Sequence, residues 1–210
     1  SYARRQHADP VPVDIVREAQ NALRSLKAEL RPFVVIRPPF SLSADDASKR
    51  RLIMRGDPLE IELLLLNVMK NAAEAVQGLP DGAVLVKFRR ETLPSPLAEN
   101  PSPSPAAPSA EAVIVEVEDN GPRLSDEAFE RLTRVSQSVK DEGLGLGLGI
   151  VRSLVEENGG RIAITRREDL SGRGLRVTLC FDLDAEGLKA QSAPHTDPAD
   201  KSAAQGSPNV

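Results

Sequence analysis

The chain has one cysteine in 210 residues, no strong excess of either charge sign, and no apolar run long enough to cross a bilayer. Each shortage excludes something. A lone Cys180 rules out an internal disulfide and any cage of several thiolates, and its neighbours in "VTLCFDL" read as a buried strand in a reducing, cytosolic setting. With 27 basic residues against 31 acidic ones, there is no basic patch or stripe of the kind that grips nucleic acid. A membrane span needs about 20 consecutive apolar residues, and no stretch approaches that. No signal peptide opens the chain, and its first residue is Ser1 rather than methionine, so the sequence reads as a piece of a longer protein. The piece itself is expected to make no membrane contact, whether or not the full protein is anchored.

Enough is present for one core, since 40% of the residues are hydrophobic. Two stretches contribute nothing to it. The Pro/Ser/Ala-rich insert over 94–111 and the tail over 185–210 have the composition of disordered segments. Residues 1–12 read as the exit from a preceding pair of helices, which leaves a domain over 13–184.

Within that domain the periodicities alternate. Helical spacing runs from Asp14 to Leu30 before Pro32, and a second helix starts at Asp57-Pro58 and ends at Gly78. A third runs from Gly147 to Asn158 and stops at Gly159-Gly160. Strand patterns cover 33–37, 50–56, 83–90, 112–119, 161–166 and 175–183, and the pair 83–90/112–119 forms a hairpin around the insert. These elements predict an α/β protein, a two-layer sandwich of a mixed, mostly antiparallel sheet with helices on one face.

Three motifs carry chemistry. In "EIELLLLNVMKNAAEAV", Asn67, Asn71 and Glu74 share one helical stripe, apart from Leu64, Leu65, Val68 and Ala72. A solvated polar face accounts for the spacing, but asparagine is a mediocre helix former, and its amide oxygen is a hard ligand suited to Mg²⁺. "VEVEDNGP" ends a strand in Asp119-Asn120-Gly121, where a carboxylate can accept from an exocyclic amine while glycine lets a flat ligand approach the backbone. An ordinary turn has the same sequence. In "EGLGLGLGIV", glycines 143, 145, 147 and 149 alternate with leucines and run into a helix. Backbone N–H groups at a helix start form a phosphate cradle, and the spacing fits neither a Walker A nor a Rossmann pattern. The leucines are expected to pack and the glycines to face phosphate.

In this order, the asparagine helix, "DNGP", a lid containing Phe129 and "GLGLGLGI" resemble the ATP-binding (Bergerat-type) fold of sensor histidine kinases, type II topoisomerases, heat-shock chaperones and mismatch-repair proteins. The resemblance spans about Val13 to Leu183 and is strongest to histidine kinase catalytic domains of the kind found in nitrogen, oxygen and dicarboxylate sensing. It implies ATP and Mg²⁺ as ligands, with Asn71 on the metal, Asn67 beside it as a catalytic residue that orders the pocket, and Asp119 on adenine. Gly121 would support the purine. Gly143, Gly145 and Gly147, with the alternating Leu144, Leu146 and Leu148, would wrap the phosphates, Phe129 would anchor the lid, and Lys70 or Lys140 would neutralise phosphate charge. Arg123 stands where the family usually has a second glycine, and Leu175 where a threonine is common.

Hydrolytic members of that fold carry a glutamate four residues before the metal asparagine; this chain has Asn67. An amide cannot act as general base, whereas a histidine acceptor needs little help. The resemblance therefore implies a protein-histidine kinase in a two-component system, with a response regulator as indirect partner. Neither His7 nor His195 lies in a phosphoacceptor context, so the acceptor belongs to an upstream dimerisation domain. A nucleotide-binding pseudokinase and an ATP-hydrolysing switch are the alternatives.

Overall fold

Asp14 ends strand β1 (Val11–Asp14) and caps helix α1 (Ile15–Ser25), its carboxylate accepting from the Val16 amide at 3.2 Å. The structure is a computed structural model that describes residues 9–37, 51–93, 110–135, 146–167 and 173–187. Helix α1 is shorter than its spacing predicts. It stops at Ser25 because Leu26 turns extended and Arg31 Nε donates to the Leu26 carbonyl at 2.6 Å. Pro32 then sits in a 3₁₀ turn, Arg31–Phe33, and Leu26 and Leu30 are buried all the same.

Five strands form the main sheet: β2 (Val34–Arg37), β4 (Val84–Leu93), β5 (Ala110–Asp119), β6 (Arg161–Arg166) and β7 (Leu175–Asp182), in the order β2-β4-β5-β7-β6. Only β2 and β4 run parallel, so the sheet is mixed and mostly antiparallel, as expected. A feature absent from the sequence reading is a second, two-stranded sheet, in which β1 pairs antiparallel with β3 (Ile53–Gly56). Four-residue strands show too few alternations to betray a partner.

Helices α2 (Pro58–Val76), α3 (Asp126–Val135) and α4 (Leu146–Glu157) complete the domain. Strand alternation explains the two layers. Val113, Val115 and Val117 point into a core shared with Leu64, Leu65 and Val68 of α2. Full burial of each such side chain contributes roughly 1.5–3 kcal/mol. The opposite face carries ion pairs instead: Glu118 accepts from Lys87 Nζ and Arg176 Nε, both at 2.8 Å, and Arg89 pairs with Glu116 at 2.6 Å.

The expected boundaries shift by a few residues. Val11 and Pro12 belong to β1 rather than to an exit segment, and Ala110 and Glu111 belong to β5 rather than to the insert, with Glu111 paired to Arg90. Residues 185–187, assigned to the tail, form a helical turn in which the Gly187 amide donates to Asp184 Oδ1 at 2.9 Å. Residues 1–8, 94–109 and 188–210, including both histidines, lie outside the described residues.

Candidate functional site

Helix α2 begins where Asp57 accepts from the Leu59 amide at 2.8 Å, with Pro58 in the first helical position. Asn158, just past α4, ties the two helices together: its Oδ1 accepts from the Asp57 amide at 2.9 Å and its Nδ2 donates to Glu60 Oε2 at 3.0 Å. This sets the stripe that holds Asn71 against the neighbouring strand ends.

A cavity of about 290 Å³ opens there. Val68, Ala72 and Ala75 of α2 form one wall, and Val117, Ile164 and Val177 of the sheet form another. Leu124, Leu132 of α3 and Leu148 of α4 narrow it. Into this apolar space come two polar side chains, Asn71 and Asp119, brought together from 48 positions apart in the chain. Among the described residues, nothing takes up the Asn71 amide.

Asp119 is 7% exposed. Burial pushes its carboxyl above the usual aspartate value, opposed by backbone hydrogen bonds from Gly121 and Leu175 and by the charge of Arg167. The Gly121 bond, to Oδ1, is 2.8 Å long. Gly121 is required by close approach, since a Cβ there would lie 2.8 Å from Asp119 Oδ1 and 3.2 Å from the Ala75 carbonyl. A flat, mostly apolar ring with one outward amine matches this geometry: hydrophobic walls for its faces and a single acceptor for its edge.

The remaining candidates fall elsewhere or partly so. Asn67 does not line the cavity; its Nδ2 donates to the Leu63 carbonyl at 2.8 Å, one turn back on its own helix. Lys70 is half exposed and pairs with Glu74 at 3.7 Å. Phe129, on α3, lies under the Arg166 guanidinium at 4.5 Å from its ring centre, and Arg166 also pairs with Asp126 at 2.8 Å. Leu148 is buried as expected, and Leu146 and Gly147 begin α4. Lys140, Gly143, Leu144 and Gly145 lie outside the described residues.

Residues 56–185 match the family model described as histidine kinase-, DNA gyrase B-, and HSP90-like ATPase. The chain belongs to this ATPase family. It is 30% identical over 142 residues to the nitrogen regulation protein NtrY of Azorhizobium caulinodans, covering 65% of this chain and 16% of NtrY. It is 32% identical over 109 residues to the sensory histidine kinase/phosphatase NtrB of Klebsiella oxytoca, covering 52% of this chain and 29% of NtrB. The chain thus spans less than a third of either relative. The mycobacterial sensor histidine kinase MprB shares the fold, with a TM-score of 0.58 at 18% identity over 83% of this chain and 97% of that structure.

A nucleotide in this cavity would bring Mg²⁺ with its phosphates. Among the described residues no group of three or more His, Cys, Asp or Glu could bind a metal unaided. A lone amide oxygen fits an ion that keeps waters and takes its other ligands from phosphates. Asn71, at the cavity, fits that role.

Sequence reasoning named Leu175 only as a departure from a common threonine and gave Gly174 no role of its own. Leu175 lines the cavity with its side chain and supports the ionised Asp119 through its backbone N–H. Gly174, at φ +81°, is bound to be glycine because a Cβ there would lie 1.9 Å from the Asp119 carbonyl. The glycine itself was a visible signal; its partner across the fold was not.

Proposed function

We propose that this domain binds Mg-ATP in the cavity between α2 and the sheet and transfers the γ-phosphoryl group to a histidine of an upstream dimerisation domain. The observation that carries the reading is the convergence of Asn71 and Asp119 on one apolar cavity. Asp119 accepts from the adenine amine while the apolar walls hold the ring faces. The Asn71 amide oxygen holds the metal against the phosphates, and the glycine-rich stretch ending at α4 offers its N–H groups to them. Mg²⁺ supplies charge neutralisation across the phosphate oxygens.

Asn67 decides between transfer to a side chain and hydrolysis. Its amide has no base function, and its Nδ2 is already engaged on the Leu63 carbonyl, so no group at this position activates water. An imidazole nitrogen needs no such activation. In the transfer the bond from the γ-phosphorus to the ADP oxygen breaks and a phosphorus–nitrogen bond forms, so catalysis rests on alignment. The names of NtrY-like and NtrB-like relatives support a signalling setting, with a response regulator downstream.

Mixing the chain with γ-labelled ATP and a separately prepared upstream helical module tests this reading. Acid-labile, base-stable label on the module is the expected result. Release of inorganic phosphate with no labelled module would replace kinase by hydrolase.

A further inference from the structure

The turn that carries Asp119 is gripped from behind. Arg167 and Arg173 flank the connection from β6 to β7, and each donates to one carbonyl of that turn. Arg167 Nη1 reaches the Asp119 carbonyl at 3.1 Å, and Arg173 Nη2 reaches the next one, on Asn120, also at 3.1 Å. Arg173 is itself aimed by Asp81, whose two carboxylate oxygens accept at 3.3 and 3.5 Å. The Asn120 side chain closes the ring: its Nδ2 donates to the Asp81 carbonyl at 2.6 Å and its Oδ1 accepts from the Ala83 amide at 2.8 Å. Only because Gly174 lacks a Cβ can the two backbone segments come this close.

We propose that Arg167 and Arg173 are positioning residues for nucleobase selection, clamping consecutive carbonyls so that the Asp119 carboxylate stays aligned with an exocyclic amine. The inference rests on the nucleotide reading above and adds to it the source of the preference for adenine over guanine. The physical ground is asymmetry. A carboxylate held in place rewards an amine and penalises the O6 carbonyl of guanine, because two acceptors then face each other. If the turn is loose, the carboxylate swings away from O6 or towards a guanine N–H, and the penalty disappears. Loosening the turn therefore costs ATP more than GTP, whereas mere damage to the cavity costs both alike.

The test is calorimetric titration of the 210-residue chain with Mg-ATP and, separately, Mg-GTP, for the parent, Arg167→Met, Arg173→Met and Arg173→Lys, with a thermal melt of each. The expected result is a parent that prefers ATP, and methionine variants whose ATP:GTP affinity ratio falls by about tenfold, the size of one lost hydrogen bond. Arg173→Lys keeps a donor and should retain most of the ratio. Should a methionine variant fail to fold, Asp81→Asn weakens the same grip while leaving both arginines in place, and an intermediate fall in ratio is expected. Equal losses for both nucleotides, or an unchanged ratio in a folded variant, would overturn the clamp and leave the nucleotide reading standing. A parent chain with no preference for ATP would overturn both.

Discussion

Strand β7 ends in a cavity at each tip, and the two differ in kind rather than in size. At its start, Leu175 and Val177 line the space of about 290 Å³ that holds Asn71 and Asp119; at its end, Phe181 and Asp182 line another of about 300 Å³ with Arg55, Asn158 and Asp184. Volume does not separate them; charge compensation does. In the second cavity the Arg55 charge stands 3.6 Å from Asp184 Oδ2, a buried oxygen with no hydrogen bond of its own, while Oδ1 takes the Gly187 amide, and the Asn158 amide is spent on Asp57, Glu60 and the Leu154 carbonyl. In the first, the Asp119 carboxylate meets backbone N–H groups and feels the charge of Arg167 without a direct ion pair among the described residues, and burial outweighs both and raises its pKa. A buried carboxylate that no cation pairs directly has been kept at a cost in desolvation, which marks it for a ligand. A paired one is mostly architecture.

The sharpest way to break this contrast is at Asn71. Asn71→Ala should reduce phosphotransfer to the upstream module by more than about 100-fold, in line with removal of a single transition-state ligand. Magnesium dependence of ATP binding should vanish with it. Because the residue borders an open cavity, the melting temperature is expected to stay near that of the parent. Normal transfer with unchanged magnesium dependence would reduce the stripe to a solvated face.

Next in size is a matched pair of substitutions, one per cavity. Asp119→Asn removes a charged acceptor from the edge of the base, and ATP affinity should fall about 10- to 100-fold, equivalent to the roughly 1.5–3 kcal/mol of a charge-assisted hydrogen bond. Asp184→Asn breaks a pair whose arginine side chain is 60% exposed and whose carboxylate is 8% exposed, so its cost in stability should be about 1 kcal/mol, below the roughly 3–5 kcal/mol of breaking a fully buried pair. ATP affinity should not change. Calorimetry and melting curves on both variants check the two halves, and equal effects on ATP would erase the distinction between the cavities.

The sequence showed one cavity better than the other for a physical reason. Asn71 and Asp119 stand in local patterns, an amide on a helical stripe and a strand end before glycine, and local patterns survive without a fold. The grip of Arg166 on Phe129 and that of Arg173 on Asn120 join residues 37 and 53 positions apart, and nothing at either end announces the other. The β1–β3 pairing is invisible for the same reason, although both strands obey ordinary alternation. Leu175 is conspicuous in the sequence only for a side chain that differs from the common threonine. Its contribution to Asp119 comes from backbone that any residue would supply, beside an obligatory Gly174.

Acidification should separate the two kinds of carboxylate more gently. Asp119 titrates above its unfolded value of 3.8, so as pH falls it is protonated early, and ATP affinity falls with it. The native state holds that proton more tightly than the unfolded chain, so protonation of Asp119 relieves a cost and by itself favours folding. Glu118 has the opposite sign. Burial opposes its ionisation, but hydrogen bonds from Lys87 and Arg176 outweigh that and hold its carboxyl below 4.5. Its stabilisation is complete above 4.5 and is lost as pH drops through the lower folded value. Titrations and melts over the carboxylate range should therefore show ATP binding failing at a higher pH than the fold.

The smallest expected effect lies at the far end of the sheet. Strand β5 runs from Ala110 to Asp119, so the insert between Leu93 and Ala110 leaves the hairpin at the tip away from the nucleotide cavity, on the side of the compensated one. Deleting Leu97 to Ser109 shortens that connection by roughly two doublings, and each doubling is worth about 0.6 kcal/mol of closure entropy. A Pro/Ser/Ala segment offers almost no apolar surface to set against that gain. The melting temperature should stay level or rise by a few degrees, about 2–4 °C per kcal/mol for a domain of this size. ATP affinity should be unchanged, because among the described residues the hairpin tip is joined to Asp119 through the ten paired residues of β5. A large fall in melting temperature would mean that the insert packs against the domain, and a fall in ATP affinity would mean that the two ends of the sheet are coupled.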